Sequence, residues 1–220
     1  MKKRVIVNLV SETDSYLFGQ NRLIESYHAF AGGSQECDLK TFIGEESVGS
    51  PIHKNNPYAF KIYAIERMIQ LGYEQVLWLD ASIVFVKNVR PLFDWIEEKG
   101  FFFEHCGFSV GQWCNKETLN YFGLTRDEAK QMPMFSAGFT GLDFTNPIAV
   151  EFFNRWKQSM LDGCFCGSWS DHRHDLTCGS IVANQMNLVK DYSGGGDFFA
   201  YIGSGYNAPK ETAICHLLGL

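Results

Sequence analysis

Two places in the sequence concentrate residues able to do chemistry. The first is Asp80, which closes the apolar run Val76-Leu77-Trp78-Leu79 and is followed by Ala81 and Ser82. A run apolar at every position predicts a strand covered on both faces. In open α/β sheets, ligands bind beyond the carboxyl ends of such strands. A carboxylate there can hold a hard divalent cation and, through it, a diphosphate; it can equally cap its own turn. The second place is Ser170-Asp171-His172-Arg173-His174-Asp175, the densest polar cluster of the chain, between a Gly/Cys-rich loop and a helix start. Asp175 or Asp171 could take a proton as a carboxylate base, and Asp175 could instead be a plain helix N-cap. Arg173 could bind a phosphate through its bidentate fork, or pair with a neighbouring Asp. Cys164 and Cys166 ahead of His172 and His174 allow a structural zinc, but C-x-C followed by H-x-H is not a common finger spacing and acidic groups compete.

These groups need elements to hold them. Val5–Val10 reads as a first strand, Asn21 to Ala31 as a helix closed by Gly32-Gly33, and Asp38–Ile43 as a second strand. Asn56-Pro57 predicts a helix with Asn as cap and Pro at the first position, running to Leu71 and ended by Gly72. After the Val76–Leu79 strand come a short strand, Ile83–Val86, a helix, Pro91–Lys99, stopped by Gly100, and the strand Phe101–Phe103. Thr125-Arg126-Asp127-Glu128 has capping-box spacing. Phe135–Phe144 reads as a glycine-broken strand, and Asn146-Pro147 caps a helix to about Leu161. A further helix starts at Asp175 or Thr177 and runs to Asn187, and the tail offers Phe198–Ile202, a Gly-rich turn and Thr212–Leu218. Strands alternating with helices predict an α/β fold, a three-layer α/β/α sandwich around a mixed, mostly parallel sheet.

The bulk composition sets limits. At 220 residues without a repeat, low-complexity tract or Pro/Ser linker, the chain is expected to form one domain, 1–220. A formal charge of −6 with no basic block argues against nucleic acid as a main partner. No stretch approaches the ~20 apolar residues of a membrane span, and the basic start is followed by too short an apolar run for a signal peptide. With no export signal, seven irregularly spaced cysteines predict reduced thiols and a cytoplasmic location. The lone run Gly194-Gly195-Gly196 has no apolar strand before it and reads as a flexible loop.

The stretch from Gly72 to Ser82 resembles the DxD segment of GT-A-fold glycosyltransferases, in which a helix, an apolar strand and a D-x-D turn precede a short strand and a helix. Here the second acid is Ser82, a neutral and weaker ligand. Phe135-Ser136-Ala137-Gly138-Phe139-Thr140-Gly141-Leu142 is similar to the family's small-residue strand beside the donor sugar, and Ala213–Gly219, with His216, resembles the late segment whose histidine completes the metal site. The match covers most of the chain from Asn56 onward plus the first strand. It implies a metal-assisted transferase that moves a hexose-type sugar from a nucleoside-diphosphate sugar, UDP-linked above all, to a hydroxyl of a glycan or glycoprotein acceptor. By the resemblance, Asp80 and His216 hold Mn2+ or Mg2+ with Ser82 nearby; Ser11, Glu12 and Lys61 lie around the nucleotide together with Asp80; Ser136, Gly138 and Arg173 surround the sugar. Asp175, with Asp171 second, is the base of an inverting reaction, and a retaining one needs neither. The size is similar to glycosyltransferase domains of large algal viruses, which would place the protein in a host cytoplasm.

Two rival functions fit the same sheet. A sugar-1-phosphate nucleotidyltransferase should carry a Gly-rich, Arg-bearing loop after the first strand, and Val10-Ser11-Glu12-Thr13 lacks glycine. A non-catalytic carbohydrate-binding or scaffold protein is allowed by the missing second Asp.

Overall fold

The structure is a computed structural model that describes residues 2–32, 35–193, 198–201 and 213–218; the Gly194-Gly195-Gly196 run and Gly33 lie outside the described residues. Along the chain run β1 (Arg4–Val10), α1 (Asp14–Phe30), β2 (Asp38–Ile43), α2 (Ala59–Gln70), β3 (Gln75–Leu79), β4 (Ile83–Phe85), α3 (Arg90–Lys99) and β5 (Phe101–Ser109). Then come α4 (Lys116–Tyr121), α5 (Arg126–Lys130), β6 (Pro133–Asp143), α6 (Pro147–Leu161), α7 (His174–Gln185), β7 (Phe199–Tyr201) and β8 (Cys215–Leu217).

The central sheet has the order β2–β1–β3–β6–β5. β1 is parallel to β2 and β3, while β6 is antiparallel to both β3 and β5, so β6 alone runs against the other strands. β1, β3, β6 and the first half of β5 are buried on both faces, whereas the edge strand β2 is half-buried to exposed. Val5, Val7, Leu9, Val76 and Trp78 face a layer that includes α2, α6 and α7; Ile6, Leu77 and Leu79 face α1 and α3. The sequence's α/β/α sandwich is therefore the observed one. A second sheet, β4–β8–β7, lies against the α1/α3 side, with Ile83, Phe85 and Cys215 in that core.

Several boundaries moved for local reasons. α1 begins at Asp14, not Asn21. Its first turns leave Tyr16 and Phe18 exposed, and Gln20 is buried, with its amide donating to Asn8 Oδ1 (2.8 Å) and to the Phe42 carbonyl (3.0 Å). Asn8 in turn donates to the Leu79 carbonyl at 2.7 Å, so a buried amide relay ties the ends of β1, β2 and β3 together. α2 starts at Ala59 rather than Pro57. Asn56 belongs to the preceding turn, where its N–H bonds to the Ile52 carbonyl, and the cap is Tyr58 in the left-handed region at φ 58°. By contrast Asn146 and Thr125 cap as expected, the first to the Ile148 N–H at 3.0 Å. β6 is continuous through its glycines. At Gly141 a Cβ would lie 2.4 Å from Ile96 Cδ1, so that glycine lets α3 pack closely.

Candidate active site

Asp80 follows the last residue of β3, and its N–H donates to the Gly138 carbonyl of β6 at 2.8 Å. Its Oδ1 accepts from Trp78 Nε1 at 2.7 Å and lies 3.3 Å from Lys61 Nζ. Its Oδ2 faces Gly138, where a Cβ would stand only 2.7 Å away. Gly138 thus serves a close approach, and the carboxylate is oriented by an indole donor while one of its oxygens is left toward the cavity. The side chain is 39% exposed.

Lys61, on the first turn of α2, is buried and brings together two carboxylates from distant segments. Its ammonium lies 2.9 Å from Asp175 Oδ2 and 3.3 Å from Asp80 Oδ1, and it donates to the Ala137 carbonyl at 3.2 Å. The rings of Tyr58 and Trp78 flank it, with centroids 5.3 and 5.6 Å away. Burial alone would lower its proton affinity, but Asp175 and Asp80 outweigh burial and raise it, so Lys61 is a fixed cation. Asp175 is equally buried, and burial raises its proton affinity against the opposing pull of Lys61. The 2.9 Å contact to Oδ2 is an ion pair whose approach is not that of a well-directed hydrogen bond. Asp175 is not the cap of α7: Arg173 takes that position, and the carboxylate sits in the first turn, where the helix dipole favours it.

The cavity over this cluster has a volume of about 310 Å³ and is lined by Ser11, Tyr16, Glu45, His53, Tyr58, Phe60, Asp80 and Ser82, among others. Two residues beside it hold left-handed backbone without being glycine, Tyr58 at φ 58° and His174 at φ 42°. Each such residue costs about 1–3 kcal/mol and clusters at functional sites. Here their rings stack on one another at 5.5 Å and 30°. His174 is locked further, because its Nδ1–H donates to the Phe165 carbonyl at 2.7 Å.

No protein-family model matches the chain, and no curated protein sequence matches it. Solved structures do. The chain is similar to mouse xyloside xylosyltransferase 1 in its apo form, with a TM-score of 0.60 and 12% identity over 99% of this chain and 97% of that one. It is similar to the apo structure of the bifunctional glycosyltransferase WbbM, with a TM-score of 0.58 and 11% identity over 93% of this chain but only 40% of that one. A glycosyltransferase involved in glycosylation of the major capsid of PBCV-1 matches with a TM-score of 0.55 and 10% identity, over 98% and 92% of the two chains. This chain has a glycosyltransferase fold.

Within that fold, the residues singled out in the sequence divide clearly. Ser11, Asp80 and Ser82 line one cavity, Lys61 and Asp175 form the ion pair beneath Asp80, and Gly138 abuts its carboxylate. Ser136 is buried on β6. Glu12 and Asp171 are exposed and are not among the cavity's lining residues. Arg173 stacks between Trp113 and Trp169. His216 pairs opposite Val84, and the Leu218 N–H donates to the Ser82 carbonyl at 3.0 Å, which runs the C-terminal segment alongside the Asp80–Ser82 turn. The zinc alternative gains no support: the rings of His172 and His174 are directed at the carbonyls of Cys164 and Phe165, Cys164 is buried while Cys166 is exposed, and all seven cysteines are free thiols. The sequence reading missed Trp78 as the donor that orients Asp80, and Tyr58 as a wall of the cavity; an aromatic residue next to a charged helix start was the available signal.

The donor set suits a single hard cation sparsely. Asp80 offers one carboxylate oxygen, Ser82 a hydroxyl and His216 an imidazole, and no cluster of three or more His, Cys, Asp or Glu exists among the described residues. Electrostatics point the same way. Asp80 and Glu45 line the cavity, and Lys61 is already shared between two carboxylates. A diphosphate entering alone would meet net negative charge, and a divalent ion at Asp80 would offset it.

Proposed function

We propose that the chain is a glycosyltransferase that moves a hexose-type sugar from a UDP-sugar to a hydroxyl of a glycan or glycoprotein acceptor. The observation that carries this reading is the convergence of Asp80, Lys61 and Asp175, from three separate elements, at the carboxyl end of β3 beneath an open cavity. Asp80 and His216, with Ser82 beside them, would hold Mn2+ or Mg2+, which when bound offsets charge on the leaving diphosphate. Ser11 lies where the nucleotide would rest, at the end of β1, with Glu12 next to it on the loop. Lys61 fixes the orientation of both carboxylates. Ser136, Gly138 and Arg173 are assigned to the sugar.

In an inverting reaction, the acceptor oxygen forms its bond to the anomeric carbon as the bond from that carbon to the diphosphate oxygen breaks. The acceptor proton passes to a carboxylate, and the nucleoside diphosphate leaves with the bonding electrons. Asp175 is the carboxylate assigned to that role. Asp171, exposed on the loop ahead of α7, ranks second, and a retaining reaction needs neither.

A thermal-shift series with UDP-sugars, with and without Mn2+, tests the reading. The expected result is a stabilisation that requires both donor and metal and disappears in Asp80→Ala. Stabilisation by no nucleotide-sugar, with or without metal, would instead leave a scaffold or carbohydrate-binding role.

A further inference from the structure

The segments beside the cavity carry a feature that donor binding leaves unexplained. The Arg173 guanidinium lies 3.8 Å from the centroid of the Trp113 ring and 4.1 Å from that of Trp169. Its Nη1 is buried with no hydrogen-bond partner. Trp169 stacks on His174 at 5.7 Å and leans on Tyr58 at 5.9 Å, and Tyr58 is part of the cavity wall. On the outer side, Phe108 meets Trp113 edge-on at 6.1 Å. Trp169 is 54% exposed and Phe108 is 43% exposed. An aromatic surface therefore runs from the mouth of the cavity outward, with an arginine set into it.

This surface is built. The Arg173 N–H donates to the Trp113 carbonyl at 3.0 Å, and Thr177 Oγ1 donates to the same carbonyl at 2.8 Å, which fixes Trp113 against the start of α7. The left-handed backbone at Tyr58 and His174 holds the inner rings in their stack. The rim is polar, with exposed Ser168, Ser170 and Asp171 around Trp169. A ligand for such a surface needs an apolar face for the indole and hydroxyls for an arginine. A pyranose has both: its axial C–H bonds form a weakly positive face that packs on an aromatic ring, and its hydroxyls accept from a guanidinium. A nucleic acid would bring a phosphate backbone to a chain of charge −6.

We propose that Trp113 and Trp169, with the Arg173 guanidinium held between them, form the acceptor subsite, taking a neutral pyranose of an oligosaccharide on the exposed Trp169 ring. The assignment rests on the glycosyltransferase reading for the word acceptor, but the carbohydrate binding it claims stands separately. Its place, next to Tyr58 in the cavity wall, would lead a sugar stacked there toward the cavity.

The test is an array of neutral oligosaccharides probed with the full chain in the presence of UDP and Mn2+. Wild type is expected to be retained on a subset of glycans. Trp169→Ala should lose that retention by about tenfold, the size of one aromatic contact, and Trp169→Phe should recover part of it. Trp113→Ala should lose it on the same glycans. An unchanged melting temperature and an unchanged response to UDP with Mn2+ in Trp169→Ala would show that the loss is local. Retention of wild type on no neutral glycan, or equal retention of wild type and Trp169→Ala, overturns the proposal, as does loss of the UDP response along with the glycan. If wild type binds glycans through Trp169 yet shows no UDP response, the donor reading fails and the carbohydrate subsite stands.

Discussion

Lys61 and Asp175 are each almost fully buried; Asp175 and Asp80 hold Lys61 charged against burial, and Lys61 opposes the burial that favours the protonated form of Asp175. Lys61→Met would strand a buried carboxylate, and breaking such a pair typically removes about 3–5 kcal/mol. The double change Lys61→Met with Asp175→Asn removes both charges and should regain most of that loss. Urea denaturation of the two variants checks it; a double variant no more stable than the single one would mean the ion pair is not what holds this region. Gly138 makes a separate point. A methyl there would stand 2.7 Å from Asp80 Oδ2 and 3.1 Å from its Cγ, so Gly138→Ala must turn the carboxylate away from its place. UDP affinity in Mn2+ should fall about tenfold, equivalent to about 1.4 kcal/mol, while the melting temperature without ligand stays near that of wild type. Gly141→Ala should behave oppositely. Its methyl would meet Ile96 in the core, so stability should fall and UDP affinity should hold. Calorimetric titration beside a melting curve separates the two glycines.

At the scale of elements, β1 and β3 were readable because they are nearly continuous apolar runs, and β3 with Asp80 after it could be placed from five letters of sequence. The helix starts were less readable. Asn56-Pro57 carries the letters of a cap and first turn, yet the helix begins after a left-handed Tyr58 that no local preference predicts. Its ring stacking on His174 is a tertiary cause, invisible along the chain. The same holds for the Lys61–Asp175 pair: each residue could be suspected alone, but their meeting depends on how α2 and α7 pack on one face of the sheet. The polar loop before α7 was read as a cluster of ligands, and much of it is structural. Burial lowers the pKa of His172 from 6.5 to about 4, and its Nε2–H donates to the Cys164 carbonyl at 2.8 Å. The folded state therefore keeps this ring neutral while the unfolded chain takes up a proton near its ordinary pKa. Stability should be full above about pH 6.5 and fall by up to about 1.4 kcal/mol per pH unit between there and pH 4. His172→Gln, which preserves a donor but not the titration, should flatten that acid limb in melting curves taken from pH 7 to 4. An unchanged slope would assign the acid sensitivity to other groups.

On the scale of the whole molecule, the chain closes on itself at the site. β8 returns from the far end of the sequence to pair with β4, and the Leu218 N–H reaches the carbonyl of Ser82, two residues past Asp80. This segment has two separable jobs. Ala213, Ile214 and Cys215 are buried, Ile214 and Cys215 within the α1/α3 core, so they hold the second sheet in place. His216, partly exposed between them and the end, is the proposed metal ligand. Ile214→Ala should therefore cost about 2–5 kcal/mol, the usual range for emptying a buried aliphatic position, and should loosen everything that depends on β8. His216→Ala should leave the melting temperature without ligand nearly unchanged and weaken only the part of UDP binding that requires Mn2+. Melting curves taken across a Mn2+ titration distinguish the two: a right-shifted Mn2+ dependence with an intact apo transition is expected for His216→Ala. If that variant instead melts early and responds to Mn2+ like wild type, the imidazole is a strand residue of the fold, and Asp80 with Ser82 must hold a cation without it.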